Sequence, residues 1–208
     1  MNRFKNFIIS TLLSALGAAI IGLGEGIALS ASWGSDPLGT LWEGLVNVFG
    51  ITLGQANLLV QLILILVVFC VKREEIGIPT VLNPFIIGWV TDVTFPPFHE
   101  LVISRTVQVG FLLSGLILIA VGAGICVSLS VKRDAYSAIA VLLAKMLKGS
   151  VGKARSLMDF TCLSFGFILG GKLLPGPIIS IFMIGFFLAL TVKICEKMKT
   201  YFKLEGME

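Results

Sequence analysis

The chain has 208 residues, of which 56% are hydrophobic and 13% charged, with a formal net charge of +4 and a mean hydropathy of +0.99. A soluble domain carries about 45 to 50% apolar and about 25% charged residues, so this composition excludes a soluble globular enzyme. A membrane-crossing helix takes about 20 apolar residues, so the length holds roughly six spans and leaves no room for a separate catalytic or nucleotide-binding domain.

Apolar runs bounded by charge or by Pro and Gly predict spans at Phe7 to Ala31, Leu53 to Val71, Ile76 to Phe95, Thr106 to Val131, Lys153 to Leu173 and Pro177 to Ile194. The basic start, Met1 to Lys5, leads into an apolar run with no small-residue cleavage pattern. It is read as a retained first span rather than a removed signal. Two shorter pieces, Pro37 to Phe49 and Ala135 to Leu147, each follow an Asp. Neither is long enough to cross about 30 Å of hydrocarbon at about 1.5 Å per residue, so both read as interfacial or re-entrant helices.

Asp36 followed by Pro37 is a helix-start signature, and Leu38, Leu41, Trp42, Leu45 and Phe49 then recur at helical spacing. Trp33 and Trp42 are expected at the outer membrane surface. Asn83-Pro84 predicts a kink, Pro96-Pro97-Phe98-His99 reads as a loop, and residues 196–208 read as a short cytoplasmic tail.

The basic residues fix an expected orientation. With six spans and both termini cytoplasmic, only Arg105 and Lys172 of the 16 Lys and Arg fall outside. Counting the two short helices as full crossings would move Lys72, Arg73, Lys132 and Arg133 outside and spoil that bias. The basic balance therefore marks one side of a membrane and not a nucleic-acid surface.

A shift of 98 residues superimposes Gly17 on Gly115, Ile21 on Ile119, Gly24 on Gly122, Gly26 on Gly124 and Ile27 on Ile125. It also places Ser30 on Ser128, Ser32 on Ser130, Asp36 on Asp134, Leu45 on Leu143, Gly54 on Gly152 and Ala56 on Ala154. The matches cluster at Gly and polar positions, which shared apolar composition would not produce. The expected fold is an all-α polytopic membrane protein, a single membrane domain with repeats at about 6–97 and 104–195. Three crossings per half is an odd number, so the six helices would form an inverted 3+3 repeat, each half with one short helix.

Polar residues inside apolar spans need a partner, an aqueous cavity or the interface. Glu25 lies in Gly22-Leu23-Gly24-Glu25-Gly26. It reads either as an acid snorkelling to the surface or as a substrate or proton site, and the shift sets Ala123 opposite it. Asn57 and Gln61 correspond to Arg155 and Asp159, and i, i+4 spacing puts each pair on one helix face. Arg155 and Asp159 are thus candidates for a local ion pair. Inverted topology would place Asn57 and Gln61 towards one surface and Arg155 and Asp159 towards the other, one polar cluster per gate. Thr80, Asn83, Asp92 and the capping Asp36 and Asp134 complete the candidates for a substrate or ion pathway. Gly17, Gly22, Gly24, Gly26, Gly115, Gly122 and Gly124 read as helix-packing positions.

Other chemistry finds little support. Cys70, Cys126, Cys162 and Cys195 stand singly in or beside apolar runs, without metal-ligand or disulfide spacing, and His99 is the one histidine. No cofactor is expected, and no catalytic residue is nominated.

Gly34-Ser35-Asp36-Pro37, Ile51-Thr52-Leu53-Gly54 and Thr80-Val81-Leu82-Asn83 with Gly88 and Asp92 resemble the first half of the YczE/YyaS/YitT-type bacterial membrane proteins. Arg155, Asp159, Gly166 and Gly170-Gly171 resemble that family's second half. The chain departs from the pattern at Ala135, where a proline-like turn residue is expected, and at Ile178, opposite Thr80. The resemblance implies an integral protein of the bacterial inner membrane. The architecture points to a secondary transporter or exporter of a small organic solute. The alternatives are a substrate-binding subunit of a vitamin uptake system of the energy-coupling factor type, docking a coupling subunit through Ala15 and Ala19, and a membrane scaffold without transport. Expected partners are the lipid bilayer, a small-molecule substrate, and a second copy or a coupling subunit.

Overall fold

A computed structural model describes residues 2–129, 134–173 and 175–201. Eight α-helices run through them: α1 Asn2–Ser30, α2 Pro37–Phe49, α3 Leu53–Lys72, α4 Ile78–Glu100, α5 Arg105–Leu129, α6 Ala135–Met146, α7 Val151–Ile168 and α8 Pro175–Tyr201. A short 3-10 turn, Arg73–Glu75, joins α3 to α4. Ser130, Lys132, Arg133 and Lys203, which entered the repeat and charge arguments, lie outside the described residues.

Five helices are long and apolar enough to cross a membrane: α1, α3, α4, α5 and α8. A sixth crossing is reached if α6 and α7, bent by 117° at their junction, are one broken span. Lys153, Arg155 and Asp159 within α7 lower its hydropathy, which is why it does not stand as a span alone. The outward faces carry large apolar side chains, among them Trp89, Phe160 and Phe182. Helices turned towards lipid present such a surface; water-facing helices do not.

The repeated sequence produces repeated local structure. Asp36 caps α2 by accepting from Gly39 N at 2.6 Å, and Asp134 caps α6 by accepting from Ser137 N at 3.0 Å. Thr52 and Ser150, equivalent under the shift, cap α3 and α7 by accepting from Gln55 N and Lys153 N. Between these caps the chain turns through the left-handed region at Gly50 (φ 64°) in one half and at Lys148 (φ 49°) in the other. Glycine enters that region without strain, and Lys148 does not.

α1 lies against both α4 and α5, and glycine lets the backbones approach. A Cβ on Gly24 would fall 2.7 Å from the carbonyl oxygen of Gly115, and one on Gly122 would fall 2.5 Å from that of Gly17. The shift exchanges these two contacts with each other. Gly22 and Gly26 face α4 at Ile87 and Thr94, and Gly124 faces α8 at Thr191. Small residues at such crossings trade side-chain volume for backbone contact.

Three differences from the expected elements are clear. Pro96-Pro97-Phe98-His99 is not a loop; α4 continues through it to Glu100, held to α1 because Ser30 Oγ donates to the Phe95 carbonyl at 3.1 Å and His99 Nδ1 lies 3.4 Å from the Ser30 carbonyl, while His99 stacks on Phe95 within α4. Trp42 is 2% exposed in the core beside Leu45 and Leu53, not at the surface, because α2 turns its Trp42 face inward against α3. The expected tail is partly helix, since α8 carries on to Tyr201.

Candidate functional site

A cavity of about 110 Å³ lies where α1, α2, α3, α4, α5, α6, α7 and α8 converge. Seven of the ten pathway candidates line it: Glu25, Asp36, Asn57, Gln61, Asn83, Asp134 and Arg155. Asn57, Gln61 and Arg155, expected in clusters towards opposite surfaces, therefore share one wall, because α3 and α7 both reach it, while Asp159 lies outside this space. Equivalent positions meet across it. Ile21 faces in with Ile119, Glu25 with Ala123, Asp36 with Asp134, Leu38 with Tyr136, and Asn57 with Arg155.

Glu25 is 2% exposed and does not snorkel to a surface. α1 is enclosed by α4 and α5 at this level, so its carboxylate turns inward, where Ser35 Oγ donates to Oε2 at 3.0 Å. The same hydroxyl stands 3.4 Å from Asp36 Oδ1 and so sits between two carboxylates. Ser35 reaches this position because the chain leaves α1 through Gly34 (φ 70°) before entering α2.

Arg155 and Asp159 do not form the direct ion pair their spacing allows; the one salt bridge among the described residues joins Lys72 and Glu75. Tyr136 from α6 inserts between them. Its hydroxyl donates to Asp159 Oδ1 at 2.5 Å, and the Arg155 guanidinium lies 5.4 Å from its ring centre. Arg155 and Asp36 also border a second cavity of about 260 Å³ that contains Asp159. They form the partition between the two spaces.

The polar inventory of the first cavity is incomplete. Trp42 Nε1, Asn57 Oδ1, Gln61 Oε1 and Asn83 Oδ1 are buried without a hydrogen-bond partner, and all four residues line this space. Asn57 is oriented by its other end, since Nδ2 donates to the Pro84 carbonyl at 2.8 Å. Asn83 Nδ2 donates to Ser14 Oγ at 2.9 Å. Buried polar atoms are almost always paired with protein, water or ligand, so four orphans around one cavity mark a place built to hold something polar.

The remaining candidates lie elsewhere. Asp92 accepts from Thr52 Oγ1 at 2.6 Å and from Gly54 N at 2.7 Å, which ties α4 to the start of α3. Thr80 Oγ1 accepts from Gly77 N in the first turn of α4. Trp42, Ser35 and Tyr136 belong to the site although sequence reasoning did not place them there. Tyr136 stands at the shift equivalent of Leu38, two residues past the capping Asp of each half, a position the repeat could have singled out.

A family model described as "Family of unknown function (DUF6198)" matches residues 8–193. An uncharacterised protein of Haemophilus influenzae is 26% identical over 181 residues, covering 85% of this chain and 79% of that protein. The uncharacterised protein YyaS of Bacillus subtilis is 22% identical over 189 residues, covering 88% and 92% respectively. No solved structure matches the chain significantly.

Proposed function

The chain belongs to the DUF6198 family, and we propose that it is a secondary transporter or exporter of a small organic solute across the bacterial inner membrane. One observation carries the reading: a central cavity, lined from equivalent positions of both halves, holds four buried polar atoms that no protein group satisfies. A scaffold has no use for such groups, which cost about 1–3 kcal/mol each when left unpaired.

The six-span inverted repeat is part of this proposal. The exchanged contacts, Gly24 with Gly115 and Gly17 with Gly122, support it. Two copies of one helix that meet in this order run antiparallel about a two-fold axis, and that is the relation inverted halves require. The equivalent pairs Asp36/Asp134 and Asn57/Arg155 line one cavity, as halves related by such an axis would. Both termini are placed in the cytoplasm on the charge bias alone.

Alternating access needs one closed end. On this reading the closed end is held by contacts of α2: Asn47 Nδ2 donates to the Gly170 carbonyl at 2.8 Å, and Lys172 N donates to Glu43 Oε2 at 3.2 Å. Gly44 and Gly166 bring α2 and α7 together, a Cβ on Gly44 falling 2.7 Å from the Gly166 carbonyl oxygen. The shift equivalents of these glycines are Leu142 and Val68, which carry the side chains that Gly44 and Gly166 lack.

The test is release from liposomes. Vesicles containing the purified protein are loaded with a metabolite mixture, and the solutes retained are quantified by mass spectrometry. Selective depletion that Glu25→Gln abolishes is the expected result. Equal retention in protein-containing and empty vesicles refutes transport, and stoichiometric co-purification of an ATPase-linked membrane subunit would favour the vitamin-uptake alternative.

A further inference from the structure

The charge and hydrogen-bond pattern of the cavity selects a class of solute. Two helix N-termini, those of α2 and α6, begin at its wall, and such ends ordinarily attract anions. Here both positions are already filled by the chain's own carboxylates: Asp36 accepts from Gly39 N and Asp134 from Ser137 N. An anionic solute would meet these two acids before it met the helix ends.

Arg155 lines the same space and forms no direct ion pair among the described residues, but it has companions of its own. Its guanidinium lies over the Tyr136 ring, its field acts on Asp36, and Tyr136 links it to Asp159. Glu25 has no such companion. The charges that act on it are Asp36 and Glu43, both acidic, and no Lys or Arg nitrogen among the described residues lies within 4.0 Å of it. A carboxylate 2% exposed and without a cation is the feature most in need of a positive partner.

The neutral groups point the same way. Of the four orphaned atoms, three are amide oxygens that accept hydrogen bonds, on Asn57, Gln61 and Asn83, and one, Trp42 Nε1, donates. All four side chains are at least nine-tenths buried. Acceptors without donors call for a solute rich in N–H groups, and the lone donor leaves room for one hydroxyl or water beside it. The space is small, about 110 Å³, and favours a compact solute.

We infer that this cavity binds a small organic cation bearing N–H donors, an ammonium group on a short chain, with Glu25 as its counter-ion and the Asn57, Gln61 and Asn83 oxygens as its acceptors. The inference rests on the proposed reading only in taking the cavity as the solute site. The apolar wall, Ile21, Ile87, Ile119 and Leu188, faces the alkyl part.

Equilibrium dialysis of the purified full chain with radiolabelled ethylammonium, at fixed ionic strength, tests it. Saturable binding is expected, displaced by unlabelled ethylammonium and not by propionate or glycine. Glu25→Gln weakens it about tenfold or more, the loss of one charge-assisted contact. Gln61→Met, which removes one acceptor at similar length, weakens it several-fold and carries the test if Glu25→Gln does not fold. Absence of saturable binding, displacement by propionate or glycine, or binding indifferent to both substitutions overturns the inference. Ethylammonium binding without flux in liposomes keeps the solute class and overturns transport. Solute flux with no preference for cations keeps transport and overturns the class.

Discussion

Asn57 on α3 and Arg155 on α7 stand 98 residues apart at equivalent positions and line the same cavity. The frame around them is shared by the two halves: each has an Asp-capped short helix and a hydroxyl-capped helix after it. The chemistry on that frame is not shared. One half contributes Glu25, Asn57 and Gln61, and the other contributes Ala123, Arg155 and Tyr136. On the proposed inverted repeat, duplication would account for the shared frame, and divergence at a few inward positions for an asymmetric site within it.

Tyr136 joins Arg155 and Asp159, two of the three charged residues of α7, so its hydroxyl is predicted to stabilise the fold through Asp159. Tyr136→Phe keeps the ring under Arg155 and removes the bond to Asp159. A hydrogen bond to a charged group contributes about 1.5–3 kcal/mol, and half-exposure of Asp159 lowers this to about 1 kcal/mol. Thermal unfolding of Tyr136→Phe, Asp159→Asn and the double variant should show non-additive losses. Additive losses would mean that the two side chains act independently.

The glycine contacts between α1 and α5 predict opposite outcomes at two sites on one helix. Gly122→Val drives a side chain into the Gly17 carbonyl and Ile21, and overpacking of that kind costs about 1–3 kcal/mol. Gly110→Ala meets nothing within 4 Å and gains up to about 1 kcal/mol of helix propensity. Unfolding temperatures of the two detergent-solubilised variants should move in opposite directions. A neutral Gly122→Val would show that α1 and α5 are not in close contact.

Asp92 is predicted to be a joint and not a pathway residue. Its carboxylate receives Thr52 Oγ1 and Gly54 N, and beside it Gly54 and Gly88 pass backbone to backbone. Asp92→Ala leaves both donors without that acceptor, at a cost of about 1–2 kcal/mol by analogy with a lost helix cap. Asp92→Asn retains an acceptor and should recover part of it. If Asp92→Asn instead abolishes solute release while leaving the unfolding temperature unchanged, the residue belongs to the pathway.

Much of this arrangement is legible in the chain because it is written locally. Asp36-Pro37 names the start of α2 and Asp134 that of α6, and the 98-residue shift exposes both at once. The position of Trp42 was not legible: an aromatic near a predicted surface reads as interfacial, and only the rotation of α2 against α3 decides that it points inward. Tyr136 between Arg155 and Asp159 is a tertiary insertion that i, i+4 spacing cannot show. Pro96 and Pro97 read as breakers because the contacts from Ser30 of α1, to the Phe95 carbonyl and to the His99 ring, come from outside the segment.

The loops provide the topology test. Trp33, Ile103, Arg105 and Pro175 border one depression, which gathers the segments after α1, between α4 and α5 and before α8 at a single end. Lys148, between α6 and α7, belongs to the end that carries most of the basic residues on the charge reading. After the four native cysteines are replaced, a cysteine at Ile103, which is 86% exposed, should react with an impermeant thiol reagent in intact cells. A cysteine at Lys148 should react only after the membrane is opened. Labelling of both from outside would require an even number of crossings between Ile103 and Lys148, with α6 crossing as well as α5, so that the three crossings per half would be lost. The opposite pattern at the two sites would keep the repeat and reverse the orientation, placing Arg105 and Lys172 in the cytoplasm and most of the basic residues outside, against the charge bias that set it.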